Sequence, residues 1–156
     1  MFFTDDTIVA IATPPGRGGI GVVRLSGPAA ASIAARLTAR ASFEPRHATL
    51  TAVLGAGGAP IDRAVVTFFP SPHSYTGEDV VELSAHGSPV VLDAIVAAGV
   101  AAGARLANPG EFTLRAHLHG RIDLVQAEAI AELIDAVTPL QARIAFDQLE
   151  GTLTSQ

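Results

Sequence analysis

The stretch ATPPGRGGIGVVRLSG, residues 12–27, constrains the fold of this chain more than any other. Gly16, Gly18 and Gly21 satisfy G-x-G-x-x-G, the glycine spacing of dinucleotide-binding loops. That spacing has meaning only where a strand runs in and a helix opens at the far end, so that the helix N-terminus meets a pyrophosphate. Here Gly21 is followed by Val22, Val23, Arg24 and Leu25, a β-branched, apolar run that suits a strand. Residues 7–12 (TIVAIA) read as the strand before it, and Pro14 and Pro15 end its ladder because proline has no N–H to donate. The glycines are therefore expected to join two strands, which argues against a doubly wound nucleotide fold.

Two more strands are expected at residues 48–54 and 64–69, flanking the turn-rich GAGGAPID as a loose hairpin, and a fourth at 79–85 behind the polar segment PSPHSYTGED. A helix is expected to begin at Pro28, with Ile33 and Leu37 on one face and Arg36 and Arg40 near its C-terminal end, where cations suit the dipole. A second, capped by Ser88 and opened by Pro89, runs towards Ala102; it is apolar nearly all round, with Asp93 its only charge, and is assigned to the core. Asn108, Pro109 and Glu111 read as the capping set of a short helix ending at Gly120, Asp123 with Gln126 as that of a longer one, and Thr138, Pro139 and Gln141 as that of a last one. The sum is an α+β fold, a small mixed or antiparallel sheet with packed helices, followed by a helical segment. In that segment Ala127, Ile130, Ala131 and Ile134 form one apolar stripe, and Leu140 with Ile144 begins a looser one. No further helix follows to cover them. The chain therefore reads as a fragment whose last helices pack on a second copy or are poorly ordered.

Length and composition exclude several classes. With 156 residues, 49% of them hydrophobic, the chain can bury one full core and an appendage. It has no cysteine, which removes disulfides, thiol nucleophiles and zinc–thiolate sites. No apolar run reaches the ~20 residues of a membrane span, and Asp5 and Asp6 stand where a signal peptide would be basic. A cytoplasmic protein without a membrane partner is expected. Its ten basic side chains are all arginine, against fifteen carboxylates, for a net charge of −5. Such a chain lacks the broad positive field of non-specific nucleic-acid binding, so any RNA would be held by other parts or partners. Without lysine it also lacks the P-loop G-x-x-x-x-G-K-[ST], and it is not expected to hydrolyse GTP or ATP by that mechanism.

Two charges interrupt apolar strands. Arg24 ends the row Ile20, Val22, Arg24, and Glu82 lies between Val80 and Ser84 on one face, with Val81 and Leu83 on the other. A charge half-buried in a sheet needs a partner, so each residue is either half of a structural ion pair or part of a site for a ligand that carries both polarities. In the second case the carboxylate accepts two parallel N–H bonds from an amino-pyrimidinone edge such as that of a pterin or guanine. Arg17, between glycines, reads as a solvated loop charge. Among the five histidines only His117-x-His119 approaches a metal-ligand spacing, and that signal is weak. Ser84 with His86 evokes a nucleophile and its base, but neither an elbow motif nor an orienting carboxylate is evident.

Three blocks, TIVAIATPPGRGGIGVVRLSG, SYTGEDVVELSAHGSPVVLDAI and NPGEFTLRAHLHGRIDLVQAEAIAELIDA, follow one another in this order. Together they resemble the beginning of the MnmE (TrmE) family of tRNA-modification GTPases, over most of the chain apart from residues of about 38–60. The resemblance implies a division at about Gly120. Residues 1–120 would be an α+β domain similar to the folate-binding domain of glycine-cleavage T-protein, which dimerises and binds formyl- or methylene-tetrahydrofolate. Residues 121–156 would be the first helices of a truncated helical domain, ending before an inserted GTP-binding domain that holds GTP, Mg and K.

The folate contacts of the family fall on the arginine after GIGVV, the glutamate of DVVEL and a basic residue before I-D-L, which are Arg24, Glu82 and Arg121. The resemblance implies that Glu82 accepts hydrogen bonds from the pterin, Arg24 positions the cofactor and Arg121 attracts an anionic part of it or a neighbouring carboxylate. The third position is often lysine in the family; arginine keeps the charge but presents a planar fork. The family also brings to the folate a C-terminal segment with a reactive cysteine, which is not in this sequence. The implied partners are a second copy, the FAD-dependent tRNA-modification protein MnmG, and tRNA through the full complex, in which an aminomethyl-type group is built on a wobble uridine. No catalytic residue is assigned to this chain. Two other readings stay open: a free-standing folate-dependent aminomethyl transferase, and a dimerisation module without folate binding.

Overall fold

The structure is a computed structural model that describes residues 5–151; residues 1–4 and 152–156, at the outer ends of the two expected domains, lie outside the described residues. Contacts divide the chain into two compact units, Met1–Pro109 and Gly110–Gln156.

The first unit is a six-stranded mixed sheet with two helices. Strand β1 (Ile8–Ile11) runs into the glycine-rich loop and returns antiparallel as β2 (Gly18–Ser26), with Ala10 opposite Arg24. The loop therefore joins two strands, as the β-branched run after Gly21 requires. Helix α1 (Ala30–Thr38) follows. It starts later than expected because Gly27 and Pro28 form a turn, held by the Ala30 amide donating to Gly27 O (3.1 Å), and Ala29 takes the N-cap position.

Strands β3 (Thr49–Leu54) and β4 (Pro60–Phe69) form the expected hairpin, and β5 (Val80–Gly87) lies antiparallel between β4 and β2. After helix α2 (Pro89–Ala101) the two-residue strand β6 (Arg105–Leu106) pairs parallel with β1. The order across the sheet is β3-β4-β5-β2-β1-β6.

Alternation along the strands sorts side chains onto two faces. Val9, Val23, Leu25, Val53, Val66, Val81 and Leu83 join Ile33 and Leu37 of α1 and Leu92, Ile95 and Ala98 of α2 in one buried cluster. Gly21 belongs to that face because Leu92 comes so close that a Cβ would collide with its side chain. Helix α2 is not buried all round: Val90 and Val100 are exposed, since a helix lying on a sheet covers only one stripe. Ser88 is its N-cap by position, but its side chain makes no capping bond. The other face of the sheet, away from α1 and α2, carries Ala10, Arg24, Ser26, Glu82, Ser84 and His86.

The second unit holds α3 (Glu111–Leu118), α4 (Leu124–Asp135) and α5 (Pro139–Leu149). The cap of α3 is Gly110 in the left-handed region (φ 74°), not Asn108: Pro109 and Gly110 make the turn, and no side chain caps the helix. The capping boxes of α4 (Asp123 with Gln126) and α5 (Thr138 with Gln141) are both present. Helices α4 and α5 pack on each other, so the fourth helix does have a partner within the chain. They run antiparallel, and Gln126 Nε2 near the start of α4 donates to Leu149 O at the end of α5 (2.8 Å). Ala129 and Ala145 are their buried residues, whereas Ile134, which the sequence pattern placed on a packing stripe, is 77% exposed. Small residues let two helix backbones approach, and the larger apolar side chains are turned outward.

Candidate functional site

The register of β2 on β5 sets Arg24 directly opposite Glu82. Arg24 Nε and Nη2 lie 3.0 and 2.9 Å from the same carboxylate oxygen, Glu82 Oε1. Both side chains are partly open to solvent, 22% for Arg24 and 29% for Glu82. Among the described residues Glu82 Oε2 accepts no hydrogen bond, so the carboxylate retains an acceptor. Thr67 of β4 is the neighbour of Glu82 on its other side, and Ala10 of β1 is the neighbour of Arg24. The pair thus sits in the middle of the sheet, on the face that the two helices of this unit leave uncovered.

The loop 70–79 folds back onto this face. Its anchor is a chain of hydroxyls at the end of β2: Thr76 Oγ1 and Ser26 Oγ are 2.7 Å apart, and Ser26 Oγ donates to Glu78 Oε2 (2.5 Å). Thr76 and Ser26 are fully buried. The Ser71 amide donates to Asp79 Oδ1 (2.8 Å), Ser74 Oγ to Glu78 O (2.5 Å), and Arg46 Nη2 reaches His73 O (2.5 Å). These bonds hold Tyr75 where its ring covers the Arg24 guanidinium, with Cζ 5.1 Å from the ring centroid. The sequence pattern did not single out Tyr75, because a lone aromatic in a polar loop has no periodicity to mark it.

Further along β5 a second polar group stands near the end of the strand. Asp62 of β4 accepts the His86 amide at Oδ2 (2.9 Å) and holds His86 Nδ1 between its two oxygens at 2.9 and 3.0 Å. Burial by itself pushes the Asp62 carboxyl up. The amide and ring of His86 and the amide of Arg63 outweigh it, and the group lies below its ordinary value of 3.8. Asp62 is the orienting carboxylate that sequence reading did not find for His86; the two are far apart in sequence and meet because β4 and β5 are neighbouring strands.

Arg121 lies in the second unit, between α3 and α4, with its side chain exposed and its amide donating to Ala116 O (2.8 Å). Of the three residues expected to form a site, Arg24 and Glu82 are thus in direct contact in the first unit. His117 Nδ1 lies 3.1 Å from Ile122 O, in the turn between α3 and α4. Among the described residues no group of three or more His, Asp or Glu side chains is placed to hold a metal ion. Arg17 lines a cavity of about 260 Å³ between the glycine-rich loop and Leu92. No helix among the described residues is long and apolar enough to cross a membrane.

The chain is 53% identical over 151 residues to the tRNA modification GTPase MnmE of Legionella pneumophila, a match covering 97% of this chain and 34% of that protein. The proteins of the same name from Aromatoleum aromaticum and Koribacter versatilis are 54% and 52% identical, over 97% and 96% of this chain and 33% and 34% of theirs. The chain therefore spans about a third of the length of these relatives. The family described as GTP-binding protein TrmE N-terminus matches residues 7–121, which takes in all six strands, both sheet-covering helices and α3, and the chain belongs to that family.

Proposed function

We propose that the chain is the N-terminal module of a tRNA-modifying GTPase, and that it binds a formyl- or methylene-tetrahydrofolate and pairs with a second copy. The observation that carries the folate reading is the Arg24–Glu82 pair: a carboxylate and a guanidinium side by side on an uncovered sheet face, with one carboxylate oxygen uncommitted among the described residues. These residues fit a pterin. Its 2-amino-4-oxopyrimidine edge presents two N–H donors in parallel, and a carboxylate is the side chain that accepts both. Arg24 is suited to an anionic part of the same ligand, and Arg121 supplies a further exposed guanidinium in the second unit. Membership of the TrmE N-terminus family supports the same assignment.

When bound, the folate supplies the one-carbon unit. Glu82 orients the pterin, the sheet excludes water from one side of it, and the Arg24 guanidinium is available to its anionic part. In this reading the wobble uridine, the FAD-dependent partner MnmG and the GTP-binding domain with its Mg and K belong to the complete cytoplasmic complex. The net charge of −5 and the absence of lysine fit a module that neither holds tRNA by itself nor hydrolyses GTP. One observation favours a second reading: Arg24 and Glu82 already neutralise each other, as they would in a dimerisation module that has no ligand.

Calorimetric titration with 5-formyltetrahydrofolate separates the two. Wild-type binding that falls by ~10-fold or more in Glu82→Gln, the value of one charge-assisted hydrogen bond, is expected for a folate module. No binding to the wild-type chain, or equal binding to both proteins, would overturn it.

A further inference from the structure

Arg24 makes two kinds of contact at once. Its guanidinium donates in plane to the Glu82 carboxylate and lies under the face of Tyr75, 5.1 Å from the ring centroid. A guanidinium is a planar carbon bearing three nitrogens. The pyrimidine ring of a pterin carries the same unit, a carbon between two ring nitrogens with an exocyclic amine, and it presents N–H donors at its edge and a π-face above them. Guanidinium and ring would therefore use the same carboxylate and the same aromatic face.

We propose that Glu82 and Tyr75 form one slot for a planar amino-pyrimidinone ring, in which Tyr75 stacks on the ring and the Arg24 guanidinium occupies the slot until the ring displaces it. The inference rests on the folate reading and adds to it a second binding residue and an exchange. The loop is built for this. Thr76, Ser26 and Glu78 fix it at one end and Arg46 at the other, so the Tyr75 ring is held over the sheet while 37% of the residue remains exposed. The displaced guanidinium is then available to the anionic tail of the ligand. Arg24 thus opposes the pterin ring and favours the tail.

Two probes separate these effects: 5-formyltetrahydrofolate, which has the tail, and tetrahydropterin, which lacks it. Tyr75→Leu weakens both by about 5-fold or more, as expected for loss of one stacked base-like ring, while Tyr75→Phe, which keeps the ring, restores binding. Arg24→Met strengthens tetrahydropterin binding, because nothing then competes for Glu82, and weakens binding of the tailed ligand. Tyr75 is the only tyrosine, so 3-fluorotyrosine labelling gives a single ¹⁹F resonance, and stacking shifts it upfield on addition of tetrahydropterin. Circular dichroism melts establish that each variant is folded, and Arg24→Lys, which keeps the charge but not the planar fork, replaces Arg24→Met if that variant is not. Unchanged tetrahydropterin affinity in Tyr75→Leu, or weaker tetrahydropterin binding in the Arg24 variant, overturns the slot while Glu82→Gln still tests the folate reading. Failure of the wild-type chain to bind either probe overturns both.

Discussion

Asp62 holds His86 through its amide and through the ring nitrogen Nδ1, which lies against both carboxylate oxygens, and the strength of that arrangement depends on the charge of the carboxylate. The Asp62 carboxyl lies below its ordinary value of 3.8 in the folded chain, so the ionised form is favoured by folding. Stability from this source is fully present above the unfolded value and is lost as pH falls through the lower folded value. Asp62→Asn is accordingly less stable than wild type, by a gap that holds steady above about pH 5 and closes as the solution is acidified past 3.8. Thermal melts of both proteins from pH 6 to pH 2.5 measure it; a gap that widens on acidification contradicts the assignment. At this scale the sequence was legible where a charge broke an apolar alternation, as Arg24 and Glu82 do. It was not legible for Asp62 and Tyr75, whose importance comes from residues far along the chain: His86 is brought to one by a neighbouring strand and Arg24 to the other by a folded-back loop.

Strands β2 and β5 approach each other unusually closely at their ends, where Gly18 faces Gly87 beside an irregularity in the ladder. A Cβ on Gly87 would stand 2.6 Å from Gly18 O and 3.0 Å from Ile20 O, both backbone atoms that cannot move without opening the sheet. At Gly21 the obstacle is instead the tip of the Leu92 side chain, which can repack. Gly87→Ala is therefore expected to destabilise the chain by about 2–3 kcal/mol and Gly21→Ala by about 1 kcal/mol, both within the usual range of overpacking. Leu92→Ala should reduce the cost of the second substitution only. Denaturant unfolding of the three single variants and of each glycine variant combined with Leu92→Ala gives the order, and equal costs at the two glycines would contradict it. The glycine pattern that looks like a nucleotide loop thus has a packing origin in part, which the strand-forming run after Gly21 already indicated. Elements with strong local signals, such as the capping boxes of α4 and α5, were readable in full. The α3 cap was not, because Asn108 and Gly110 both suit a helix start and the left-handed turn at Gly110 decided between them.

For the molecule as a whole, the surface of the α4–α5 pair is the feature that bears most on behaviour in solution. Leu124, Val125, Ile134, Val137, Leu140, Ile144 and Phe146 are all about half exposed or more. Four of them line cavities: Val137 and Ile144 one of about 420 Å³, Leu124 and Ile134 one of about 310 Å³. Exposed apolar surface gains free energy when removed from water, at roughly 25 cal/mol per Å². In a solution of the purified chain, a second copy supplies apolar surface that can cover it. Electrostatic repulsion at a net charge of −5 opposes association but is screened at physiological salt. The chain is therefore expected to self-associate as its concentration rises, and replacing Val137 and Leu140 together by glutamate should shift that equilibrium towards monomer by ~10-fold or more. Sedimentation velocity over a concentration series tests this. If wild type and the double variant associate identically, the contact between copies lies elsewhere, and pairing through the sheet unit becomes the arrangement to examine. A wild-type chain that stays monomeric at every concentration, with full helical content, would show that this apolar surface is tolerated in water.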